Sequence, residues 1–212
     1  MENLHTIKGL YAITPEEKNL SILSSQVESC IKGGAKFIQY RAKKLSKIEQ
    51  KEQAVKIKMI CDYYKIPLII NDDIELCRNL DADGIHLGED DDSLVKARTL
   101  LGPSKIIGIS CYNSIDRIKM AVEGGANYVA LGACFPTITK PNAPKVSLDL
   151  IALVLKKLKI PVVAIGGIDL ENVKLLVKAG VKCVAIINGL FLAKDIEGTA
   201  RKFKNILKKN YD

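Results

Sequence analysis

The residues Asp83-Gly84-Ile85-His86-Leu87-Gly88-Glu89-Asp90-Asp91-Asp92 pass from a short apolar run into four consecutive carboxylates. Four like charges side by side repel one another and need water or a cation to offset them. A strand that ends in carboxylates just before a helix is a place where an α/β protein holds Mg2+ beside a phosphorylated substrate. An acidic first helical turn accounts for the same run, because Asp favours the positive end of the helix dipole. Arg41, Lys43 and Lys140 supply the opposite charge. Burying them unpaired would be expensive, and phosphate oxygens suit both the Arg fork and the Lys point charge. Asp72 with one of Asp90, Asp91 or Asp92 would then hold Mg2+, the substrate phosphates completing its shell.

The elements that must position these residues repeat. Short apolar runs alternate with amphipathic segments eight times from Lys8 onward. Strands are expected at Gly9–Ile13, Phe37–Arg41, Pro67–Ile70, Gly84–Leu87, Lys105–Ile109, Tyr128–Gly132, Pro161–Ile165 and Cys183–Ile187. Helices are expected near Leu20–Lys32, Ser46–Tyr63, Ile74–Asn79, Ser93–Leu101, Ser114–Glu123, Leu148–Leu158, Leu170–Ala179 and Ile196–Lys208. Helix stops recur at Gly33-Gly34, Gly124-Gly125 and Ala179-Gly180, which suggests one βα unit used repeatedly. Runs such as Val162-Val163-Ala164-Ile165 are apolar on both faces, as parallel strands are. The fold class is therefore α/β, a (β/α)8 TIM barrel, with residues 1–212 as one domain.

In such a barrel the site forms just beyond the strand ends. Those positions carry Gln39, Arg41 and Lys43; Asn71 and Asp72; the acidic run; Ser110; Phe135 to Lys140; Gly166-Gly167; and Asn188-Gly189. Alternation puts Gln39, Arg41 and Lys43 on one side of their strand. Gly166-Gly167 and Asn188-Gly189 stand where this fold holds a phosphate on backbone N–H groups, although a tight turn would also require glycine. Two phosphorylated small molecules, or one long one, are implied. Acid–base candidates are few: His86 reads as a structural strand residue, His5 lies at the terminus, and Ser110 has no evident base partner. Metal-assisted departure of a charged group suits this set best.

Composition removes several classes. Net charge is +8, but aromatics are 5% with no Trp, so no platform for stacking bases is visible and nucleic acid is not an expected partner. No apolar run spans a membrane, and Met1 to His5 lack a basic-then-apolar leader profile. Six cysteines, Cys30, Cys61, Cys77, Cys111, Cys134 and Cys183, show neither CxxC nor zinc spacing and read as buried thiols of a reducing, cytoplasmic compartment. A homo-oligomer remains open.

The sequence resembles the thiamine-phosphate synthase family. The resemblance rests on Gln39-Tyr40-Arg41-Ala42-Lys43, Ile70-Asn71-Asp72, Gly84 to Asp91, Gly108-Ile109-Ser110, Tyr128 to Gly132 leading into Phe135 to Lys140, and Ala164 to Ile168. It implies a transferase that couples hydroxymethylpyrimidine diphosphate to hydroxyethylthiazole phosphate, releasing diphosphate and forming thiamine phosphate. It implies Asp72 and Asp91 as Mg2+ ligands. Gln39, Tyr40, Arg41, Ala42, Lys43, Asn71, Ser110 and Lys140 are implied at the pyrimidine diphosphate. Thr137, Ile138, Thr139, Gly167, Ile187 and Asn188 are implied at the thiazole phosphate. Arg41, Lys43, Lys140 and Ser110 are the implied catalytic groups.

Three positions depart from the family pattern. Glu89 stands where Gln is usual, Asn188 replaces a common Ser, and Ala143-Pro144 leads into Lys145-Val146 instead of a Gly. Other readings kept open are a thiazole tautomerase-like relative on the same barrel, another phosphate-handling isomerase or epimerase, a non-catalytic thiamine-phosphate-binding protein, and a basic nucleic-acid binder.

Overall fold

A computed structural model describes residues 7–89, 93–139 and 143–208. Eight strands form a closed parallel barrel in chain order. They are β1 (Gly9–Ile13), β2 (Phe37–Tyr40), β3 (Leu68–Asn71), β4 (Gly84–Leu87), β5 (Ile106–Tyr112), β6 (Tyr128–Leu131), β7 (Val162–Ile165) and β8 (Cys183–Ile186). The ring closes where β1 pairs β8, Leu10 opposite Val184 and Ala12 opposite Ile186. The helices are α1 (Leu20–Gly33), α2 (Lys47–Tyr64), α3 (Ile74–Asn79), α4 (Leu94–Leu101), α5 (Ile115–Glu123), α6 (Leu148–Lys157), α7 (Val173–Lys178), α8 (Asn188–Phe191) and α9 (Ile196–Lys208). The expected (β/α)8 barrel is the observed one.

Alternation along each strand builds two cores. On β1, Leu10 and Ala12 face the helices while Tyr11 and Ile13 face the barrel axis. The inner cluster gathers Tyr11, Ile13, Phe37, Ile69, Ile106, Tyr128 and Val163, so the barrel is packed rather than open. Helix starts are set by side chains that accept the first free amides. Asn19 accepts from Ser21 and Ile22, and Ser46 with Glu49 forms a capping box. The glycine stop after α1 is a left-handed cap, Gly34 at φ 107°, and the positive-φ glycine recurs at Gly125 and Gly180.

Most element ends shift by at most a residue from the sequence reading, and three places differ more. β5 continues past Ile109 to Tyr112 through a bulge between Ser110 and Tyr112, with Tyr112 at φ 52°. α7 begins at Val173 instead of Leu170, because Asp169 and Asn172 bond each other's backbone and close a turn first. The short α8 was not anticipated; Asn188-Gly189 reads as a turn in sequence.

Gly108 shows how tightly the inner core is fitted. It pairs with Tyr128 across β5 and β6, and a Cβ there would lie 1.9 Å from Tyr128 Cζ. Gly108→Ala should therefore cost about 1–3 kcal/mol through overpacking. Urea unfolding checks this, and an unchanged midpoint would contradict the packing account.

Candidate active site

At the C-terminal ends of the strands lies a cavity of about 420 Å³. Of the residues singled out in the sequence, Gln39, Arg41, Asn71 and Ser110 line one part, and Thr137, Ile138, Thr139, Gly167, Ile187 and Asn188 line another. Tyr40, Ala42 and Lys43 are not among the lining residues, and Asp72 lines a smaller neighbouring hollow with Lys47 and Asp73 instead. The Tyr40 side chain turns outward and its hydroxyl donates to Gln53 Oε1 of α2 at 3.2 Å, while Ala42 packs on the outer core. Period-2 alternation explains this: Gln39 and Arg41 face in, so Tyr40 and Ala42 face out. Asp91 and Lys140, with Asp90 and Asp92, lie outside the described residues.

The cationic segment after β2 is held by the loop after β1, which the sequence reading passed over. Thr14 Oγ1 accepts from Arg41 N at 2.8 Å and donates to Arg41 O at 3.0 Å. Glu16 Oε1 accepts from Arg41 Nη1 at 2.9 Å and from Lys43 N at 3.0 Å, and its Oε2 accepts from Lys44 N at 3.1 Å. One carboxylate thus fixes a guanidinium and two amides. The available signal was positional: Thr14 and Glu16 follow directly from the end of β1.

Lys43 Nζ reaches across the rim to Asp72 Oδ2 at 2.7 Å. Asp72 itself adopts φ 65° and its amide donates to His86 O at 2.9 Å, so the carboxylate is set by backbone as well as by Lys43. Glu89 has its own counter-charge: Arg117 Nη1 lies 3.4 Å from Glu89 Oε1. The same Arg117 donates to the Ser110 carbonyl through Nε and Nη2 and covers the Tyr112 ring at 5.7 Å. Among the described residues no group of three or more His, Cys, Asp or Glu gathers to hold a metal. Asp72 follows the cavity-lining Asn71 and itself lines a smaller hollow; its carboxylate is a hard oxygen donor of the type Mg2+ takes.

Inside the cavity runs a file of polar groups. Gln39 Nε2 donates to Tyr11 Oη at 3.0 Å, Tyr11 and Tyr128 hydroxyls meet at 3.0 Å, and Tyr128 Oη lies 2.9 Å from His86 Nδ1. His86 Nε2 lies 2.8 Å from Ser110 Oγ. His86 is 8% exposed and its ring stacks on Tyr128 at 5.6 Å between centroids. Burial raises both tyrosine hydroxyls above the ordinary phenol range, so both stay neutral. His86 is thus structural in its burial, as its strand position suggests, yet bonded to a cavity-lining hydroxyl. Tyr11 and Tyr128 escaped the sequence reading because an aromatic in an apolar strand looks like core.

The other end of the cavity is shaped by close backbone approach. Gly166 and Gly167 take φ 98° and 64°, and a Cβ on Gly167 would sit 2.3 Å from Pro136 O. Asn172 Nδ2 holds the Gly167 carbonyl at 2.9 Å, and Thr139 N donates to Thr137 Oγ1 at 3.3 Å. The loop carrying Lys145-Val146 is tied to Ala133 by two backbone bonds, from Ala133 N to Pro144 O and from Val146 N to Ala133 O. α8 begins at Asn188, whose first amides precede the intrahelical ladder. Cys134, near this end, is pushed up to about 12 by burial, so its thiol is a poor nucleophile at neutral pH.

Residues 10–190 match the family described as thiamine monophosphate synthase. The thiamine-phosphate synthase of Methylobacillus flagellatus is 47% identical over 204 residues, covering 96% of this chain and 97% of the relative. That of Nitrosomonas eutropha is 42% identical over 200 residues, covering 94% of each. The solved thiamine phosphate pyrophosphorylase of Pyrococcus furiosus superposes with a TM-score of 0.89 at 30% identity, covering 99% of this chain and 100% of that one.

If Glu16 organises the cationic segment, Glu16→Ala should speed amide hydrogen exchange at Lys43 and Lys44 by about tenfold or more, equivalent to losing roughly 1.5 kcal/mol of local protection. Exchange in the barrel strands should not change. Unchanged protection at both amides would refute the role given to Glu16.

Proposed function

The chain belongs to the thiamine monophosphate synthase family, and on that premise we propose that it couples hydroxymethylpyrimidine diphosphate with hydroxyethylthiazole phosphate to give thiamine phosphate and diphosphate. The observation that carries this reading is one cavity with two unlike ends, one lined by Arg41, beside which Lys43 pairs with Asp72, and a glycine-shaped one at Gly167 and Asn188. Two phosphorylated small molecules account for both ends. The family is one of transferases, and six free cysteines, five of them buried, support a reducing, cytoplasmic setting.

In this reading Gln39, Arg41, Lys43, Asn71, Ser110 and Lys140 receive the pyrimidine diphosphate. Thr137, Ile138, Thr139, Gly167, Ile187 and Asn188 receive the thiazole phosphate. Tyr40 and Ala42 serve by placing their inward neighbours. Asp72 and Asp91 would hold Mg2+, which when bound supplies positive charge next to the diphosphate. The bond between the pyrimidine methylene carbon and the diphosphate oxygen breaks, both electrons leaving with oxygen. Arg41, Lys43 and Lys140 take up that developing charge by charge-assisted hydrogen bonds that need no reorganisation. The thiazole nitrogen lone pair then forms the new bond to the methylene cation. No proton is transferred, so the hydrogen-bonded file of tyrosine, histidine and serine, whose two tyrosines stay neutral, is compatible with the chemistry. Of the three departures, Glu89 is answered by Arg117 and the Lys145-Val146 loop by its ties to Ala133, which leaves Asn188 as a donor in place of Ser.

A coupled diphosphate-release assay tests the proposal. Release should require both substrates and Mg2+, and chelation should abolish it. Asp72→Asn should lower kcat by roughly a hundredfold, the scale of losing one charge-stabilising element, with the circular dichroism spectrum unchanged. Release that ignores the thiazole substrate, or a fully active Asp72→Asn variant, would overturn the assignment. Folded protein that binds thiamine phosphate without turnover would favour the tautomerase-like or binding-protein readings.

A further inference from the structure

The buried file from Gln39 to Ser110 has a direction that its chemistry dictates. Gln39 Nε2 can only donate, and it donates to Tyr11 Oη. The Tyr11 hydrogen is then free for the Tyr128 oxygen 3.0 Å away. The Tyr128 hydrogen passes in turn to His86 Nδ1 at 2.9 Å, which must be bare to accept it. A neutral ring with a bare Nδ1 carries its proton on Nε2, pointed at Ser110 Oγ 2.8 Å away. Ser110 Oγ therefore accepts from the ring, and its own hydrogen is left for another acceptor. The opposite direction would aim two donors at the Tyr11 oxygen. The Tyr11 hydrogen would then have no acceptor among the described residues, a penalty that grows with burial, and Tyr11 and Tyr128 are each 1% exposed.

We propose that Gln39, Tyr11 and Tyr128 are positioning residues whose one-way hydrogen bonds lock His86 as the Nε2–H tautomer and so turn the Ser110 hydroxyl hydrogen into the cavity as a donor to an anionic oxygen. The file is built into the barrel: its members come from β1, β2, β4, β5 and β6, and Gly108 leaves the space in which the Tyr128 ring lies. Burial, which keeps both tyrosines neutral, preserves the direction. The tautomer stands independently of the reaction; only the use made of Ser110 rests on the synthase reading.

The chain has two histidines, so nitrogen-15 histidine labelling gives two ring signatures, and His5→Gln assigns them. In mildly alkaline buffer, long-range proton–nitrogen correlation should show His86 with a pyridine-type Nδ1 and a pyrrole-type Nε2. Ser110→Ala should leave that signature in place, because the lock is applied from the Tyr128 side. Gln39→Glu, in buffer alkaline enough to ionise the new carboxylate, puts an acceptor at the head of the file and should move the proton to Nδ1. A wild-type ring protonated on Nδ1, a tautomer lost in Ser110→Ala, or one unmoved in Gln39→Glu would overturn the proposal. In turnover, Tyr128→Phe should lower kcat by roughly tenfold, a partial loss of one directed donor, with KM for both substrates little changed. An unchanged kcat would overturn the role given to Ser110. An inactive wild type with the Nε2–H signature intact would instead defeat the synthase reading and leave the tautomer lock standing.

Discussion

Charge at the barrel mouth is matched before any ligand arrives, and the site depends on that matching. Arg41 rests on Glu16, Lys43 on Asp72, and Arg117 on Glu89. Partly buried cations without partners would destabilise the strand ends that carry them. The pairs are not equivalent. Glu16 also holds two backbone amides and Arg117 also holds the Ser110 carbonyl, so both keep structural work when a ligand binds. The Lys43–Asp72 contact spans the rim between two strand ends and is half exposed on the lysine side, which makes it the pair most easily reorganised.

Below the mouth, the same barrel solves a second problem, that of polar groups inside a packed core. Tyr11 and Tyr128 contribute most of their volume to apolar packing and place their hydroxyls in a file that ends at cavity-lining residues. The file costs little because every bond in it has a donor and an acceptor. Gly108 and the bulge in β5 make room for it, the first by lacking a side chain and the second by setting Ser110 against His86. Packing, polar satisfaction and site geometry are thus one arrangement.

Much of this was legible in sequence for identifiable reasons. Strands buried on both faces and glycine stops at Gly34, Gly125 and Gly180 announce repeated βα units, and barrel geometry then says where to look for polar residues. Alternation puts Gln39 and Arg41 on the cavity side and, followed strictly, separates them from Tyr40 and Ala42, whereas Lys43, grouped with them, leaves the strand and pairs with Asp72 at the rim. The parts that did not show were those created by tertiary contact. Thr14 and Glu16 acquire their role only when β1 lies beside β2. Tyr11 and Tyr128 become a polar pair only across the barrel axis, 117 residues apart in sequence. α8 and the delayed start of α7 depend on side-chain bonds and local backbone geometry that periodicity does not encode.

The central claim is that the cation end of the cavity is a preorganised diphosphate site. Titration of inorganic diphosphate into the wild type and into Arg41→Met, both in magnesium-containing buffer, tests it most directly. The account predicts saturable binding to the wild type and affinity weakened by at least about tenfold in the variant, as expected when a charge-assisted partner is removed. Equal affinity in the two proteins, or no binding to a folded wild type, would contradict it.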